Sequence, residues 1–272
     1  MYAFDLERPT TIQDAVAALK TEEAQPLGGG QTLIPTLKQR LAMPSKLVSL
    51  HGISEMKGIC ADDSGRICIG GATTHGEVAA GAGEYPALAY LAGRIGDPAV
   101  RARGTIGGSL ANNDPSACYP AGALASGATI LTDKREIAAD DYFQGMFATA
   151  LDEGEIITEV KFPVPEQAAY MKFIQPASRF PLTAVFVAKF ADGVRVAVTG
   201  ASEEGVFRWG EAESALSGNF SADGVSGLSV DRSGMIGDLH GTKDYRAHLV
   251  GVITKRAVAA AAAGEAGGTV GH

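Results

Sequence analysis

Hydrophobic positions in the first 50 residues follow a helical period and a strand period in turn. "TTIQDAVAALKTEE" has apolar residues at helical spacing and a suitable N-cap at Thr10 or Thr11. "AQPLGGG" predicts a short strand that ends in a turn, and "SKLVSL" predicts another strand. Between them, "TLIPTLKQRLA" predicts a helix with Pro35 in its first turn, where proline is tolerated. This alternation is typical of a small α/β lobe.

The next segment, up to Pro165, mixes strands and helices differently. "MKGICADDSGRICIGGATTH" predicts a hairpin that turns at "DDSG", and "GEVAAG" and "YPALAYLAGRIG" predict helices. "RARGTIGGSLANNDPSACYPAGALASGATILT" contains a second glycine-rich turn, a loop at Asp114-Pro115, a short helix and a strand. "GEIITEVKFPVP" predicts a further strand, which prolines end.

After Pro165 the pattern changes, which favours a domain boundary near residues 165–175. "TAVFVAKFADGVRVAVTGASEEGVFRW" predicts a β-meander with a hairpin turn at Asp192-Gly193. "DYRAHLVGVITKRAVAAAA" predicts a long helix, and we expect a frayed tail over residues 264–272. On one side of that helix we expect Tyr245, Leu249, Ile253 and Arg256.

Composition excludes several classes of protein. The 272 residues carry a net charge of −8 and no dense run of Lys or Arg, so nucleic acid and anionic membranes are not favoured as partners. The three cysteines look scattered and cannot supply four thiolates for an iron–sulfur cluster. The five histidines lack the spacing of a zinc site, so no metal ligands are expected. No signal pattern or membrane-length apolar run is present, and we expect a cytoplasmic protein.

The first glycine-rich loop, Gly28-Gly29-Gly30, lies between a predicted strand and a predicted helix. Backbone N–H groups at a helix start attract anions, and glycines let a phosphate approach closely. A P-loop is excluded because no Gly-Lys-Ser/Thr follows, and a Rossmann fingerprint fails because Leu33 occupies the last glycine position. The alternative is a tight turn without a ligand.

The second glycine-rich loop runs from Gly104 to Gly122. Gly107-Gly108 places bare backbone beside Ser109, and the triplet 112–114 (Asn-Asn-Asp) adds hydrogen-bonding groups that suit a ribose or ribityl chain. The alternative is an Asx turn that caps the following helix. Because the two loops fall in separate predicted lobes, a dinucleotide could lie between the lobes with its pyrophosphate on one loop.

These motifs occur in an order that resembles a known family. "LGGGQTLIPTLKQRL", "LVSL", "IGGATTH", "RARGTIGGSLANNDPSACYPA", "GEIITEVKFP", "YMKF" and "DYRAHLVGVITKRAV" together resemble the FAD-binding (medium) subunit of molybdenum hydroxylases. That group, the xanthine dehydrogenase family, includes the carbon monoxide dehydrogenase medium subunit. The resemblance covers residues 3–260, and the pair of glycine motifs is its most specific part.

The resemblance implies an α+β fold. A two-lobed, PCMH-type FAD-binding domain would span residues 1–168, with lobes at about 1–55 and 56–168. A C-terminal domain of the CO dehydrogenase flavoprotein type would span 169–272, with helices and a small antiparallel sheet of three strands.

The resemblance also implies a set of cofactor-binding residues. The first loop, Leu27 to Ile34, would wrap the FAD pyrophosphate, and Thr105 to Ser109 would approach the flavin and ribityl chain. Asp114, Ile157 and Lys172 match positions that line the FAD site in relatives, and a segment with Thr74 borders it. The full set is Leu27, Gly28, Gly29, Gly30, Gln31, Thr32, Leu33, Ile34, Thr74, Thr105, Ile106, Gly107, Gly108, Ser109, Asn112, Asp114, Cys118, Ile157 and Lys172.

Three positions depart from the family pattern. Gly28 replaces the usual alanine, and Gln31 replaces a frequent histidine, so no histidyl–flavin bond can form there and FAD is expected to be non-covalent. Cys118 stands where relatives commonly carry an aspartate that hydrogen-bonds the cofactor, and cysteine is a poor acceptor.

The implied function is electron transfer within a complex. Electrons from [2Fe–2S] clusters on a small subunit would pass through FAD to an external acceptor, while a large subunit with a molybdopterin cofactor oxidises the substrate. The assembly would be a dimer of heterotrimers, and no catalytic residue is expected on this chain. Two alternatives stay open: a stand-alone flavin-dependent oxidoreductase, and a scaffold that has lost FAD.

Overall fold

A computed structural model describes residues 1–175 and 178–270 of the chain. Its first lobe confirms the predicted alternation of helices and strands. The parallel sheet has the order β1-β3-β2, and Thr11 is the N-cap of α1, where its hydroxyl accepts from the N–H of Asp14. The elements are β1 (Asp5–Glu7), α1 (Ile12–Ala18), β2 (Ala24–Leu27), α2 (Leu33–Lys38) and β3 (Lys46–Ser49), followed by 3₁₀ turns at Leu50–Gly52 and Ser54–Met56.

The second group of elements surrounds an antiparallel sheet of order β4-β5-β10-β6-β7. The predicted hairpin at "DDSG" is confirmed as β4 and β5. The strands are β4 (Ile59–Ala61), β5 (Ile67–Gly70), β6 (Thr129–Thr132), β7 (Glu136–Ala138), β8 (Phe143–Gly145), β9 (Ala148–Thr149) and β10 (Ile157–Phe162). The helices are α3 (His75–Gly81), α4 (Pro86–Gly93), α5 (Pro98–Arg101), α6 (Ile106–Asn112), α7 (Tyr119–Ser126) and α8 (Ala139–Tyr142).

The C-terminal part contains a five-stranded sheet rather than the expected three-stranded one. The order is β14-β13-β12-β11-β15, and β15 runs parallel to β11, so the sheet is mixed. The elements are β11 (Gln167–Ile174), β12 (Pro181–Phe190), β13 (Gly193–Thr199), β14 (Phe207–Arg208), α9 (Gly210–Gly218), a 3₁₀ turn at Ala222–Val225, α10 (Lys243–Ala262) and β15 (Gly267–Val270).

The predicted frayed tail is therefore wrong over Gly267–Val270, while residues 271–272 lie outside the described part of the chain. The backbone of Gly267 approaches the carbonyl of Tyr170 so closely that a side chain would overlap it. The N–H of Tyr170 also donates to the carbonyl of Ala266 at 3.0 Å. Glycine-rich composition suggested disorder, but here glycine allows the chain to lie against an existing strand edge.

The side of the long helix α10 that carries Tyr245, Leu249, Ile253 and Arg256 is only partly buried. Leu249 and Ile253 are buried, whereas Tyr245 and Arg256 are exposed. Arg246 is buried instead, because its guanidinium donates to the carbonyls of Leu182 and Gly200, each at 2.7 Å, and to Asp238 at 2.8 Å. A buried charge is tolerated when it is paired and hydrogen-bonded in this way.

The change of sheet falls between Phe162 and Gln167, and the domain boundary at residue 168 stays a prediction. The main core is continuous across this point, since it includes Leu88, Ile130, Phe186 and Ala197. Helix α7 is buried along its whole length within this core. Within the described residues, no helix is long and apolar enough to cross a membrane.

Candidate cofactor site

A cleft of about 880 Å³ opens between the first lobe, the second lobe and one end of the C-terminal sheet. This volume is within the range of cofactor sites. The first lobe lines it with residues 25–33, Thr36 and Leu50. The second lobe contributes residues 71, 72, 75, 95–97, 100, 104, 105, 107–109, 111, 112, 114, 116–118 and 155–157, and the C-terminal part contributes 172 and 178–181.

The two glycine-rich loops meet directly at this cleft. A Cβ on Gly28 would stand 2.9 Å from Oγ1 of Thr105, and one on Gly29 would overlap the carbonyl oxygen of Arg103. Glycine is therefore needed at position 29 for the loops to pack together, as well as for the approach of a ligand.

The first loop leaves backbone N–H groups available to a ligand. Gly30 has a φ of +71°, a left-handed conformation that favours glycine, and it turns the chain from β2 into α2. Thr32 is the N-cap of α2 but makes no side-chain capping bond. The N–H of Ile34 donates to the carbonyl of Gly30, which leaves the N–H groups of Thr32 and Leu33 open within the described residues. An anion at this edge of the cleft would satisfy them.

The second loop is held rigidly by hydrogen bonds to the segment that follows β5. The N–H of Ile106 donates to Thr73 at 3.1 Å and that of Gly107 to Gly71 at 2.9 Å. Thr105 is the N-cap of α6, where its hydroxyl accepts from the N–H of Gly108 at 3.1 Å. The loop therefore presents a fixed backbone surface to the cleft.

The three residues of the polar triplet 112–114 have different roles, in the fold or at the cleft. Asn113 is buried, and its amide donates to the carbonyls of Gly145 and Ala148, each at 2.8 Å, so it serves the fold and not the cleft. Asp114 forms an Asx turn, since Oδ1 accepts from the N–H of Ser116 at 2.8 Å, but it does not cap the following helix α7, whose N-cap is Cys118. Both Asp114 and Asn112 nevertheless line the cleft. Burial raises the pKa of Asp114, which the Ser116 hydrogen bond partly opposes.

Lys172 brings a buried positive charge to the cleft. Its side chain is 1% exposed, and Nζ donates to the carbonyl of Arg94 at 2.9 Å and to Sγ of Cys118 at 3.5 Å. Among the residues that the structure describes, no carboxylate pairs with it. A buried ammonium without a counter-charge favours an anionic ligand nearby.

His75 also lines the cleft and is buried. Nδ1 has no hydrogen-bond partner in the described part of the chain, and the ring packs against Tyr119. Burial, with a smaller effect from Arg101, lowers the pKa of His75 to about 4, so it is neutral near pH 7.

Glu155 borders the cleft but is already committed to the fold. Burial opposes its ionisation, but hydrogen bonds from Arg135, the N–H of Asp152 and Thr132 lower the pKa of Glu155 to about 2. The Arg135 guanidinium lies 2.9 Å from the carboxylate. This anion therefore stays paired and does not supply a free acid or base.

Most of the sequence-predicted residues line the cleft, and their binding roles remain predictions. Ile34, Thr74 and Ile106 do not line it. Thr74 is engaged in a capping box with Glu77 at the start of α3, and Ile106 is fully buried in the main core. The sequence motifs alone do not show which of their residues reach the cleft surface and which lie behind it.

Sequence reasoning missed other lining residues, which include His75, Gly96, Asp97 and Phe180. The motif "IGGATTH" ends at His75, but only Thr74 of this segment was included in the predicted set. Asp97 and Phe180 lie outside any recognisable motif, because they reach the cleft only through packing of the second lobe and the C-terminal sheet.

Comparison with known proteins identifies the family. Residues 2–165 match the model for the FAD binding domain in molybdopterin dehydrogenase. The chain belongs to this family. It is 34% identical to the carbon monoxide dehydrogenase medium chain of Afipia carboxidovorans, over 94% of this chain and 96% of that one. It is 31% identical to the nicotine 6-hydroxylase medium subunit of Paenarthrobacter nicotinovorans, again over 94% and 96%.

The fold agrees with this assignment. A chain of reconstituted CO dehydrogenase from Oligotropha carboxidovorans superimposes with a TM-score of 0.88 and 31% identity, over 97% of this chain and 99% of that one. Quinoline 2-oxidoreductase from Pseudomonas putida gives a TM-score of 0.86 at 28% identity, over 97% and 98%. The α+β fold of a flavoprotein subunit of this oxidoreductase family is thus confirmed.

The cleft of this family member fits FAD on its own chemistry. Open N–H groups at Thr32 and Leu33 suit a pyrophosphate, and Lys172 supplies an uncompensated positive charge. Asn112 and Asp114 offer groups for hydroxyls.

Proposed function

We propose that this chain is the FAD-binding electron-transfer subunit of a molybdenum-containing hydroxylase or dehydrogenase complex. Its partners would be a small subunit with [2Fe–2S] clusters and a large subunit with a molybdopterin cofactor. We also propose a FAD-binding domain at residues 1–168 and a C-terminal domain at 169–272. When bound, FAD supplies the redox chemistry that connects one-electron donors to an external acceptor.

The observation that carries this proposal is the contact between the two glycine-rich loops beside a buried, uncompensated lysine. Gly29 and Arg103 bring the loops together, and Lys172 places positive charge at the cleft wall. The residues of this chain would therefore bind and orient the cofactor, while the fixed backbone of Thr105 to Gly108 keeps its position constant. Gln31 in place of histidine supports non-covalent binding.

The absence of an evident acid–base group favours a subunit role over a stand-alone oxidoreductase. Of the titratable cleft groups that the structure describes, Glu155 is held ionised by Arg135. Asp114 accepts a backbone hydrogen bond, and His75 is buried and neutral. The scaffold alternative is disfavoured because the buried ammonium of Lys172 would be left without a counter-charge in a cleft that stays empty.

Co-purification tests this proposal. Affinity purification of the tagged chain from its native host should recover an iron–sulfur chain and a molybdenum-containing chain in constant ratio, with FAD on the tagged chain. Metal analysis and visible absorption identify each component. A yellow chain that turns over a substrate alone would support the stand-alone enzyme, and a colourless chain that binds no added FAD would support the scaffold.

A further inference from the structure

Cys60 and Cys68, which look scattered in the sequence, lie side by side in the fold. The hairpin of β4 and β5 places them directly opposite each other. On the other side of β5, the adjacent strand β10 contributes Glu159, which pairs with Gly70 and is therefore diagonal to Cys68. The two sulfur atoms and a carboxylate oxygen of Glu159 all lie within 4.8 Å of one another.

These three side chains are on the outer face of the sheet. Ile67 and Ile69, the neighbours of Cys68 along β5, point to the main core, so Cys68 points the opposite way. Cys68 is only 3% exposed, whereas Cys60 is exposed and Glu159 is partly exposed. The cluster is thus accessible from solvent on the Cys60 side. Both cysteines are free thiols.

We propose that Cys60, Cys68 and Glu159 form a binding site for one thiophilic divalent cation such as Zn²⁺ or Cd²⁺. Thiolate sulfur and carboxylate oxygen are accepted zinc ligands, and three protein ligands leave a fourth position for water. With Zn–S bonds of about 2.3 Å, tetrahedral geometry needs sulfur atoms about 3.8 Å apart, so side-chain movements of at most about 1 Å complete the site.

The surrounding charges are compatible with a bound cation. Two thiolates and a carboxylate carry three negative charges, and Asp62 adds another nearby, although it is paired with Arg66 at 2.7 Å. Lys161 lies opposite Cys68 and 3.7 Å from the Glu159 carboxylate, so the cation competes with this ammonium for Glu159. Burial and the neighbours Glu159, Asp62 and Cys60 raise the pKa of Cys68 to about 11, which Lys161 partly opposes. Metal binding must therefore release thiol protons, and affinity rises with pH.

Such a cation would connect three neighbouring strands of one sheet. Cys60 is on β4, Cys68 on β5 and Glu159 on β10. β5 continues into Gly71, and β10 begins at Ile157. Both residues line the cofactor cleft. The site would therefore stabilise the sheet that supports one wall of the cleft, since metal bound only by the folded state adds to its stability.

The test is a Cd²⁺ titration of the FAD-loaded protein in the presence of a non-thiol reductant. The ultraviolet thiolate-to-cadmium absorption, which is separate from the visible flavin bands, should saturate at one Cd²⁺ per chain. Cys60→Ser and Cys68→Ser should each weaken binding at least tenfold, and Glu159→Gln should weaken it less. Cys60 is exposed, so its serine variant is expected to fold. Glu136→Gln, at an exposed carboxylate on β7 of the same sheet, is the matched control and should bind Cd²⁺ normally.

A second readout is independent of absorption. Bound Cd²⁺ or Zn²⁺ should protect Cys60 from alkylation and raise the melting temperature of the wild type but not of Cys60→Ser. The proposal is overturned by a titration without a stoichiometric end point, or by binding that Cys60→Ser leaves unchanged.

Discussion

Gly29 and Arg103 are in contact through backbone alone, because no space for a Cβ on Gly29 exists beside the carbonyl of Arg103. The two residues belong to different lobes and to different glycine-rich loops. Their contact makes one continuous surface from two motifs that are distant in sequence. It follows that a side chain at position 29 separates the loops even without a ligand present.

Gly29→Ala should therefore abolish FAD retention, because the added methyl group displaces the backbone at Arg103 and Gly104. Gly28→Ala is the matched control, since the atom nearest to its Cβ is a side-chain oxygen, Oγ1 of Thr105, at 2.9 Å. FAD per chain after gel filtration and the circular dichroism of each variant measure the effect. Equal FAD content in the two variants would contradict the role given to Gly29.

Lys172→Met should weaken FAD binding about tenfold or more, since a hydrogen bond to a charged group contributes about 1.5–3 kcal/mol. The methionine side chain is apolar and similar in length to lysine, so it fills the same buried volume. Lys189→Met, at a partly exposed lysine outside the cleft, is the control. Fluorescence quenching of FAD on deflavinated protein gives both dissociation constants. An unchanged constant for Lys172→Met would show that this ammonium does not face the cofactor.

Cys118→Asp should tighten FAD binding by at most about 1.5–3 kcal/mol, the contribution of one charged hydrogen bond. The new carboxylate would stand where Sγ now accepts from Lys172 at 3.5 Å, so it would also hold this ammonium in place. Cys118→Asn introduces a side chain of the same size as aspartate but without the charge, so its FAD affinity should increase less. The same titration measures both variants, and weaker binding by the aspartate variant would mean that it neutralises Lys172 instead.

The stability of the FAD-free protein should depend on the protonation of His75. Its pKa is lowered to about 4 in the folded state, against about 6.5 in an unfolded chain. Between these values the unfolded chain binds a proton that the folded chain does not, so the free energy of unfolding falls as pH decreases from 6.5 toward 4. Above pH 6.5 this contribution is fully present.

His75→Phe removes this titration and keeps an aromatic ring against Tyr119. Urea denaturation at about pH 7 and pH 5 should show a smaller loss of stability for the variant than for the wild type. Identical losses would show that the buried imidazole is already protonated or hydrated in the folded state.

Local patterns were sufficient to predict much of the fold. Thr11, the "DDSG" hairpin and the Asp192-Gly193 turn were identified because capping and turn chemistry depend on a few adjacent residues. Gly267 was misjudged, and the burial of Arg246 was not predicted, because both positions depend on distant partners. Arg246 is buried by carbonyls from β12 and the turn after β13, and Gly267 lies against Tyr170.

The sequence predicted those parts of the candidate site that belong to a recognisable motif. Gly28 to Leu33 and Thr105 to Ser109 were found through glycine spacing and family resemblance. Asp97 and Phe180 could not be found, because they come from elements that meet only after three sheets pack together. Cys60 and Cys68 show the same limit, since only the register of β4 and β5 makes them neighbours.

The flavin content of the purified chain tests the central claim most directly. Protein prepared with FAD available should carry one FAD per chain, and acid precipitation should release all of it into the supernatant, because Gln31 offers no histidyl bond at the first loop. A chain that binds no FAD when it is offered would contradict the assignment of the cleft. Flavin that stays with the precipitated protein would contradict non-covalent binding.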